Sequence, residues 1–325
     1  MIGRRGFLGG LAASAIAAPA LARFPEIRFK PDRELMVRVE GGSIYVRVNG
    51  DLAGPRPPLI YAHGGPGSGH AGLVPLTALA DERAVILYDQ LDSGRSDAPN
   101  DPKNWRVSRF VDEIDRIKAA LGVKRWHVGG GSWGGTLALE YGARRRPGTA
   151  SLIIQSPLVS TRSWIADANL LRAELPEPWR GTLAACDTAA PPPAAQCDAA
   201  TEEFYRLHVY RGHPAEGVAQ YRASQPGHAG KTIYERMWGK SEFVSTGLLK
   251  DYDGEPLLAK LDGRRTLFVC GEYDEARPAT VAGFARRVPG ATFREIRESA
   301  HVITIDQPDA YLALLRQWMA RHDAR

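Results

Sequence analysis

A glycine-rich turn around one serine, Gly129–Gly135 (GGGSWGG), constrains this chain more than any other stretch. The apolar-rich run Lys124–Val128 before it predicts a strand, and Thr136–Tyr141 after it predicts the start of a helix. A serine at the tip of such a tight turn needs small neighbours, because its backbone is forced into a strained conformation. The N-terminus of the following helix favours negative charge beside that serine. The pattern predicts a strand–turn–helix unit that presents Ser132 at its tip.

The same turn also matches the G-x-G-x-x-G pattern of dinucleotide-binding loops, through Gly129, Gly131 and Gly134. Two features argue against that alternative. The bulky Trp133 stands where a backbone should approach a pyrophosphate, and Ile154–Ser156, about 20 residues further on, contains no acidic residue for a ribose. The serine-centred interpretation is therefore preferred.

Short apolar runs alternate with helix-like segments along most of the chain, after a predicted hairpin over Glu34–Val48. The predicted strands are Pro58–Ala62, Ala84–Tyr88, Leu152–Ile154, Thr266–Cys270 and Ala291–Ile296, and the clearest predicted helices are Val107–Leu121, Pro278–Val288 and Asp309–Met319. This alternation is typical of an α/β fold, in which helices cover both faces of a mostly parallel sheet.

Residues 160–251 interrupt the alternation, because they are helix-like, rich in aromatic residues and broken by an Ala/Pro stretch at 189–195. A chain of 325 residues is long enough for one large domain with an insert. We therefore expect a core formed by residues 23–159 and 252–325, with residues 160–251 inserted as a helical cap.

Residues 1–22 have the composition of an export signal. The pair Arg4-Arg5 is followed by a weakly apolar run that reaches Ala18, and Ala20–Ala22 offers an A-x-A cleavage site. The paired arginines favour the twin-arginine route, which predicts a periplasmic or secreted protein. The run is too short and too weakly apolar to remain as a membrane span. A disordered tail is the alternative.

Composition narrows the function classes further. The formal net charge of +5 is spread along the chain, and no basic run with interleaved aromatic residues predicts nucleic-acid binding. Cys186 and Cys197 could pair in an oxidising compartment or remain free, and Cys270 is expected to be buried. Neither C-x-x-C nor H-E-x-x-H occurs, so we expect no metal and no cofactor. The sequence does not indicate an oligomeric state.

A serine nucleophile requires a base to take its proton and an acid to orient that base. In a mostly parallel sheet with a serine at such a turn, these residues follow in the order serine, acid, histidine. Asp274 directly follows a predicted strand, and His301 follows the last predicted strand. His63 and His127 precede Ser132, and three further histidines fall in the cap. We therefore predict a triad of Ser132, Asp274 and His301.

Acyl transfer also requires hydrogen-bond donors for the negatively charged oxygen of the tetrahedral intermediate. The backbone N–H of Trp133, directly after the serine, is one expected donor. The second should come from the loop after an early strand, where His63–Gly67 (HGGPG) lies. Gly65 is the preferred donor, with Gly64 as the alternative.

Several motifs together resemble the proline iminopeptidase family, the S33 serine peptidases of the α/β-hydrolase superfamily. They are His63–Gly67 (HGGPG), Asp89-Gln90 followed by Gly94–Ser96, and Gly130–Gly135 (GGSWGG). Met237–Phe243 and Gly271–Glu275 look like the subgroup that contains tricorn-interacting aminopeptidase and amino acid amidases.

The resemblance implies an α/β-hydrolase that releases N-terminal residues from short peptides or amino acid amides without a metal. In such enzymes, acidic residues at the junction of cap and core bind the free ammonium of the substrate. Glu275 and Glu242 match these residues by position. A carboxylate in a dry pocket pairs strongly with an ammonium and would fix the distance from the scissile carbonyl to Ser132.

Two alternatives remain open on the sequence alone. An exported esterase, lactonase or other acyl hydrolase would use the same triad without needing a free amine, because fold does not determine substrate. A binding module on an inactive scaffold is the other alternative, although all three triad positions are filled.

Overall fold

The computed structural model describes residues 26–225, 230–240 and 242–324. The predicted export signal, residues 1–22, lies outside these ranges. Eight strands form one sheet in the order β1-β2-β4-β3-β5-β6-β7-β8. Their bounds are β1 Arg33–Val39, β2 Gly42–Asn49, β3 Leu59–Ala62, β4 Val85–Tyr88, β5 Trp126–Gly131, β6 Thr149–Gln155, β7 Thr266–Gly271 and β8 Thr292–Ile296.

The predicted hairpin is present as β1 and β2, which pair antiparallel from Arg33 opposite Val48 to Val39 opposite Gly42. β2 also pairs antiparallel with β4, whereas β3 to β8 run parallel to one another. The predicted α/β class with a mostly parallel sheet is therefore confirmed.

Helices cover both faces of the sheet. The α-helices are α1 Val107–Leu121, α2 Trp133–Ala143, α3 Thr161–Glu174, α4 Trp179–Cys186, α5 Ala194–His208, α6 Glu216–Ser224, α7 Lys231–Met237, α8 Pro278–Arg286, α9 Ile303–Asp306 and α10 Pro308–Ala320. Within the described ranges, four 3₁₀ segments lie at His70–Asp81, Pro102–Asn104, Glu255–Lys260 and Gly263–Arg265.

Strand β3 contributes side chains to the apolar clusters on both faces of the sheet. Ile60 belongs to the apolar cluster that includes Phe110 of α1, whereas its neighbour Tyr61 belongs to the cluster that includes Tyr311 of α10. Successive side chains of a strand point to opposite faces, so a strand buried on both faces is apolar throughout. This explains why the continuous apolar runs of the sequence become strands in the middle of the sheet.

Helices α3 to α7 lie between β6 and β7, within the segment predicted to form the cap. Part of this segment has its own apolar cluster, which includes Leu171, Leu183 and Phe204. A single antiparallel bridge between Ser160 and Asp253 joins the two ends of the insertion. The exact domain boundaries remain a prediction.

A disulfide joins Cys186 at the end of α4 to Cys197 in α5, across the Ala/Pro stretch. Closing a loop of this length restricts the unfolded chain and contributes about 3 kcal/mol in the chain-entropy model. Cys270 is buried in β7 with a free thiol. In the described part of the chain, no helix is both long enough and apolar enough to cross a membrane.

Candidate active site

Ser132 lies between β5 and α2 with a left-handed backbone, φ 57° and ψ −124°. Non-glycine residues rarely adopt this conformation, and here the surrounding packing enforces it. A Cβ atom on Gly134 would lie only 2.1 Å from the carbonyl oxygen of Ala62, so the second residue of α2 must be one that has no side chain. The Ser132 N–H donates to the carbonyl oxygen of Gln155 at 3.0 Å, which ties the turn to the end of β6.

Asp274 lies in the turn after β7 and holds His301, which follows β8. Nδ1 of His301 lies 2.8 Å from Oδ1 of Asp274. Three further donors fix the carboxylate: the Ser156 hydroxyl at 2.5 Å and the backbone N–H groups of Gly271 at 3.1 Å and Ala276 at 2.9 Å. The orientation of the imidazole is therefore set by a carboxylate that is itself held on both oxygens.

His301 is 7% exposed, and its surroundings favour the charged imidazolium. Burial alone would lower the pKa of His301, but the nearby carboxylates of Asp274, Glu275 and Glu242 outweigh burial and raise the pKa to about 9. An imidazole surrounded in this way is a strong base once it has lost its proton.

Ser132 and His301 line the same cavity, which has a volume of about 580 Å³. The structure brings the three predicted triad residues together at the carboxyl ends of β5, β7 and β8, where ligands bind in open α/β sheets. Nδ1 of His301 faces Asp274, so the other ring nitrogen, Nε2, is the one available for exchange of a proton with Ser132.

Gln155 and Ser156, at the end of β6, support this arrangement and were not predicted as site residues. The Gln155 side-chain N–H₂ donates to the Ser156 hydroxyl at 2.6 Å and to the backbone carbonyl of His301 at 2.9 Å. The Ser156 hydroxyl then donates to Asp274. The position of these residues directly after a buried strand was the available signal, because that edge of the sheet gathers functional side chains.

A second buried network shapes the loop that holds Gly64 and Gly65. The Gln90 backbone N–H donates to Nε2 of His63 at 3.0 Å, so the His63 proton is on Nδ1 and is donated to the Gly64 carbonyl at 2.8 Å. The Gln90 side chain donates to the His63 carbonyl at 2.9 Å and accepts from the Trp133 indole at 2.8 Å. The loop and the start of α2 are thus joined through one glutamine.

The predicted oxyanion donors lie beside this network. Trp133 is the first residue of α2, and the first N–H groups of a helix have no partner within it. Gly64 and Gly65 both line the cavity, and Gly64 packs directly against Ser132. Gly65 has φ +107°, a conformation that favours glycine. The assignment of Gly65 rather than Gly64 as the donor remains a prediction.

Glu242 and Glu275 lie in the wall of the same cavity. Oε1 of Glu275 lies 3.6 Å from Nε2 of His301, and Oε2 of Glu242 accepts a hydrogen bond from the Tyr234 hydroxyl. Burial raises the pKa of both carboxyl groups, although Tyr234 and His301 partly oppose the rise for Glu242. Two poorly solvated carboxylates beside a serine and a histidine are chemically suited to a positively charged group.

Among the residues that the structure describes, His, Cys, Asp and Glu side chains form no group of three or more suited to a metal ion. The groups that line the cavity include a serine, a histidine that is hydrogen-bonded to Asp274, and two glutamates. Such a set is suited to nucleophilic acyl transfer on a substrate that carries an amine.

Comparison with known proteins agrees with this geometry. A family model described as the α/β hydrolase fold matches residues 57–308. The chain is 36% identical over 287 residues to a proline iminopeptidase of Heyndrickxia coagulans, across 88% of this chain and 98% of the relative. It is 32% identical to a proline iminopeptidase of Lactiplantibacillus plantarum, across 87% of this chain and 99% of the relative.

A solved structure of a proline iminopeptidase is also similar to this chain in three dimensions. The crystal structure of the proline iminopeptidase of Mycobacterium smegmatis matches with a TM-score of 0.81 and 33% identity, over 90% of this chain and 99% of that one. The predicted likeness to the tricorn-interacting subgroup is not tested by these matches. Fold, cavity and relatives together show that this chain belongs to the proline iminopeptidase family of α/β-hydrolases.

Proposed function

We propose that the protein is a serine aminopeptidase that releases N-terminal residues, proline among them, from short peptides or amino acid amides. The observation that carries the proposal is the position of Glu275 and Glu242 in the cavity that also holds Ser132 and His301. An acyl hydrolase for neutral esters has no need for two poorly solvated carboxylates beside its base, because removing them from water costs free energy. A substrate with a free amine would neutralise them.

In the proposed reaction, Oγ of Ser132 attacks the scissile carbonyl carbon while Nε2 of His301 takes the hydroxyl proton. Asp274 holds the ring and stabilises the imidazolium. The N–H groups of Trp133 and Gly65 stabilise the oxyanion. His301 then gives its proton to the leaving amine, and the C–N bond breaks to leave an acyl-Ser132 ester. A water molecule, deprotonated by His301, attacks this ester and releases the amino acid.

The two glutamates would place the substrate. A pair of carboxylates that accepts the N-terminal ammonium fixes the distance from that end of the substrate to Ser132, so that only the first peptide bond reaches the nucleophile. The ammonium would also offset the negative charge that raises the pKa of His301. The bound substrate would therefore help its own catalytic base to lose a proton.

The requirement for a free amine is testable with matched substrates. Truncating one partner of a hydrogen-bonded charge pair with a ligand costs about 3 kcal/mol of binding, so Glu242→Gln should lower kcat/KM for proline p-nitroanilide about 100-fold. Wild-type enzyme should prefer the free anilide to its N-acetylated twin by a similar factor. Glu235→Gln is the control and should match wild type, because Glu235 is a half-exposed residue of α7 that lies near Lys231 and does not line the cavity.

Equal turnover of the free and acetylated anilides would contradict the aminopeptidase assignment. Faster cleavage of simple esters that lack an amine, with no effect of Glu242→Gln, would favour the esterase or lactonase alternative instead.

The charge around His301 predicts a pH dependence in the absence of substrate. Because the pKa of His301 is raised to about 9, the ring is mostly protonated at neutral pH and cannot take the Ser132 proton. The rate of inactivation by phenylmethanesulfonyl fluoride should rise with pH until about 9. Glu275→Gln removes one of the carboxylates that raise this pKa, so the rise should occur at lower pH.

The same control, Glu235→Gln, should leave the midpoint of this pH profile unchanged. A wild-type profile with its midpoint near the ordinary histidine value of about 6.5 would show that the three carboxylates do not act on His301 in this way.

We also propose that the protein is exported by the twin-arginine route and that residues 1–22 are removed. The Arg4-Arg5 pair and the small residues Ala20–Ala22 support this proposal. The Cys186–Cys197 disulfide supports it too, because such bonds persist in oxidising compartments. Mass spectrometry of the protein from a periplasmic fraction should find an N-terminus near Arg23. A chain that keeps Met1, or that stays in the cytoplasm, would contradict the proposal.

A further inference from the structure

We propose that the outer part of the cavity is an anion subsite, centred on Arg222 and assisted by Arg95, that binds the free C-terminal carboxylate of a short peptide. This inference rests on the proposed function, since it concerns the leaving-group side of the same cavity. It narrows the substrate class to peptides short enough for both of their charged ends to be bound at once.

Arg222 is an exposed residue that lines the cavity from the last turn of α6. Within the described ranges, its guanidinium forms no salt bridge. Val218, one helical turn earlier, is buried and lines the cavity as well. Residues four apart lie on one face of a helix, so this face of α6 is turned towards the cavity.

Arg95 lines the same cavity from the core. Its guanidinium lies over the Tyr45 ring, 4.0 Å from the centroid, and donates through Nη1 to Glu34 at 2.9 Å. An arginine has five N–H donors, so Arg95 keeps donors for a further anion after pairing with Glu34. Planar guanidinium groups bind carboxylates through two parallel hydrogen bonds, which neutral side chains do not provide.

The position of Arg222 is set by its neighbour Tyr221, which fixes α6 to the core. The Tyr221 hydroxyl accepts from Nη1 of Arg47 at 2.6 Å and lies 2.8 Å from Nε2 of His70. Nδ1 of His70 lies 2.8 Å from Asp89. Burial raises the pKa of the Tyr221 hydroxyl, while the nearby cations Arg47 and Arg95 oppose that rise. The helix that presents Arg222 is therefore joined to the core by a part-buried hydrogen-bond network.

The charges of this outer part leave an excess of positive charge. Arg47 is fully buried, and its hydrogen-bond partners are the uncharged groups of Asn49, Tyr221 and the Arg28 carbonyl. Of the described residues that line this part of the cavity, two carry a guanidinium group, Arg95 and Arg222, and one carries a carboxylate, Asp89, which is paired with His70.

The inner part of the cavity has the opposite sign, since Glu242, Glu275 and Asp274 surround the one imidazole of His301. A short peptide at neutral pH carries an ammonium at one end and a carboxylate at the other. The charge distribution of the cavity matches that of the peptide when its N-terminus is at the glutamates. A cavity of about 580 Å³ is also within the usual size range for small ligands.

The experiment compares peptides of two, three and four residues that begin with proline, each as the free acid and as the C-terminal amide. For wild-type enzyme, we expect kcat/KM to favour the free acid about tenfold at one of these lengths, because a carboxylate accepts charge-assisted hydrogen bonds from a guanidinium that are stronger than those an amide accepts. Arg222→Gln should reduce that ratio to about one, and Arg222→Lys should keep part of it. Added salt should lower the wild-type ratio, since the subsite is exposed.

Arg206→Gln is the matched control, because Arg206 is an exposed cap arginine paired with Glu203 and does not line the cavity. This variant should keep the wild-type ratio. Equal kcat/KM for acids and amides at every length in wild type would overturn the subsite, as would an acid preference that Arg222→Gln leaves intact. Failure of the proposed function is a different result, in which wild type cleaves neither these peptides nor proline p-nitroanilide.

Discussion

The site depends on the buried imidazole of His301, which lies among carboxylates that have different roles. Asp274 lies 2.8 Å from Nδ1 of His301 and is held by hydrogen bonds on both of its oxygens, so it orients the ring. Glu275, 3.6 Å from Nε2, is not held in that way and faces the cavity. In the proposed mechanism, Asp274 stays paired with His301 throughout the reaction, whereas Glu275 also pairs with the ammonium of the substrate. Arrival of an ammonium would release the imidazole to act as a base.

The rest of the fold holds the strained backbone of Ser132 and the loop beside it in place. The left-handed backbone of Ser132 is held by the close approach of Gly134 to β3 and by the hydrogen bond to Gln155. Gln90 fixes the oxyanion loop and Trp133 with the same side chain. These contacts come from strands β3, β4, β5 and β6, which are packed on both faces. A sheet of this kind keeps its carboxyl edge rigid enough to position a nucleophile within a few tenths of an ångström.

Much of this arrangement could be predicted from the sequence, because it follows from chain order. Buried strands show as apolar runs, and residues directly after them meet at one edge, which is why Asp274 and His301 could be assigned before any coordinates. Gln155 and Ser156 stand in the same kind of position, but their roles depend on side-chain rotamers that no pattern encodes. Only the resemblance to a known family pointed to Glu242, because this residue reaches the cavity from an irregular segment after α7.

The outer part of the cavity could not have been predicted. Tyr221 contacts Arg47 and His70 across separations of 174 and 151 residues, and only this docking of α6 turns Arg222 towards the cavity. Contacts between residues so far apart in sequence depend on how the inserted helices pack against the core. Local secondary-structure propensity carries no information about that packing.

The central claim is that Ser132 is the nucleophile of an acyl-transfer reaction that His301 makes possible. The most direct measurement is peptide-mapping mass spectrometry after incubation with a diphenyl phosphonate analogue of proline, which bonds covalently to an activated serine. One equivalent of label is expected on the peptide that contains Ser132, and none when His301 is replaced by alanine. Label on another residue, or equal labelling without His301, would contradict the role of Ser132 as a nucleophile activated by His301.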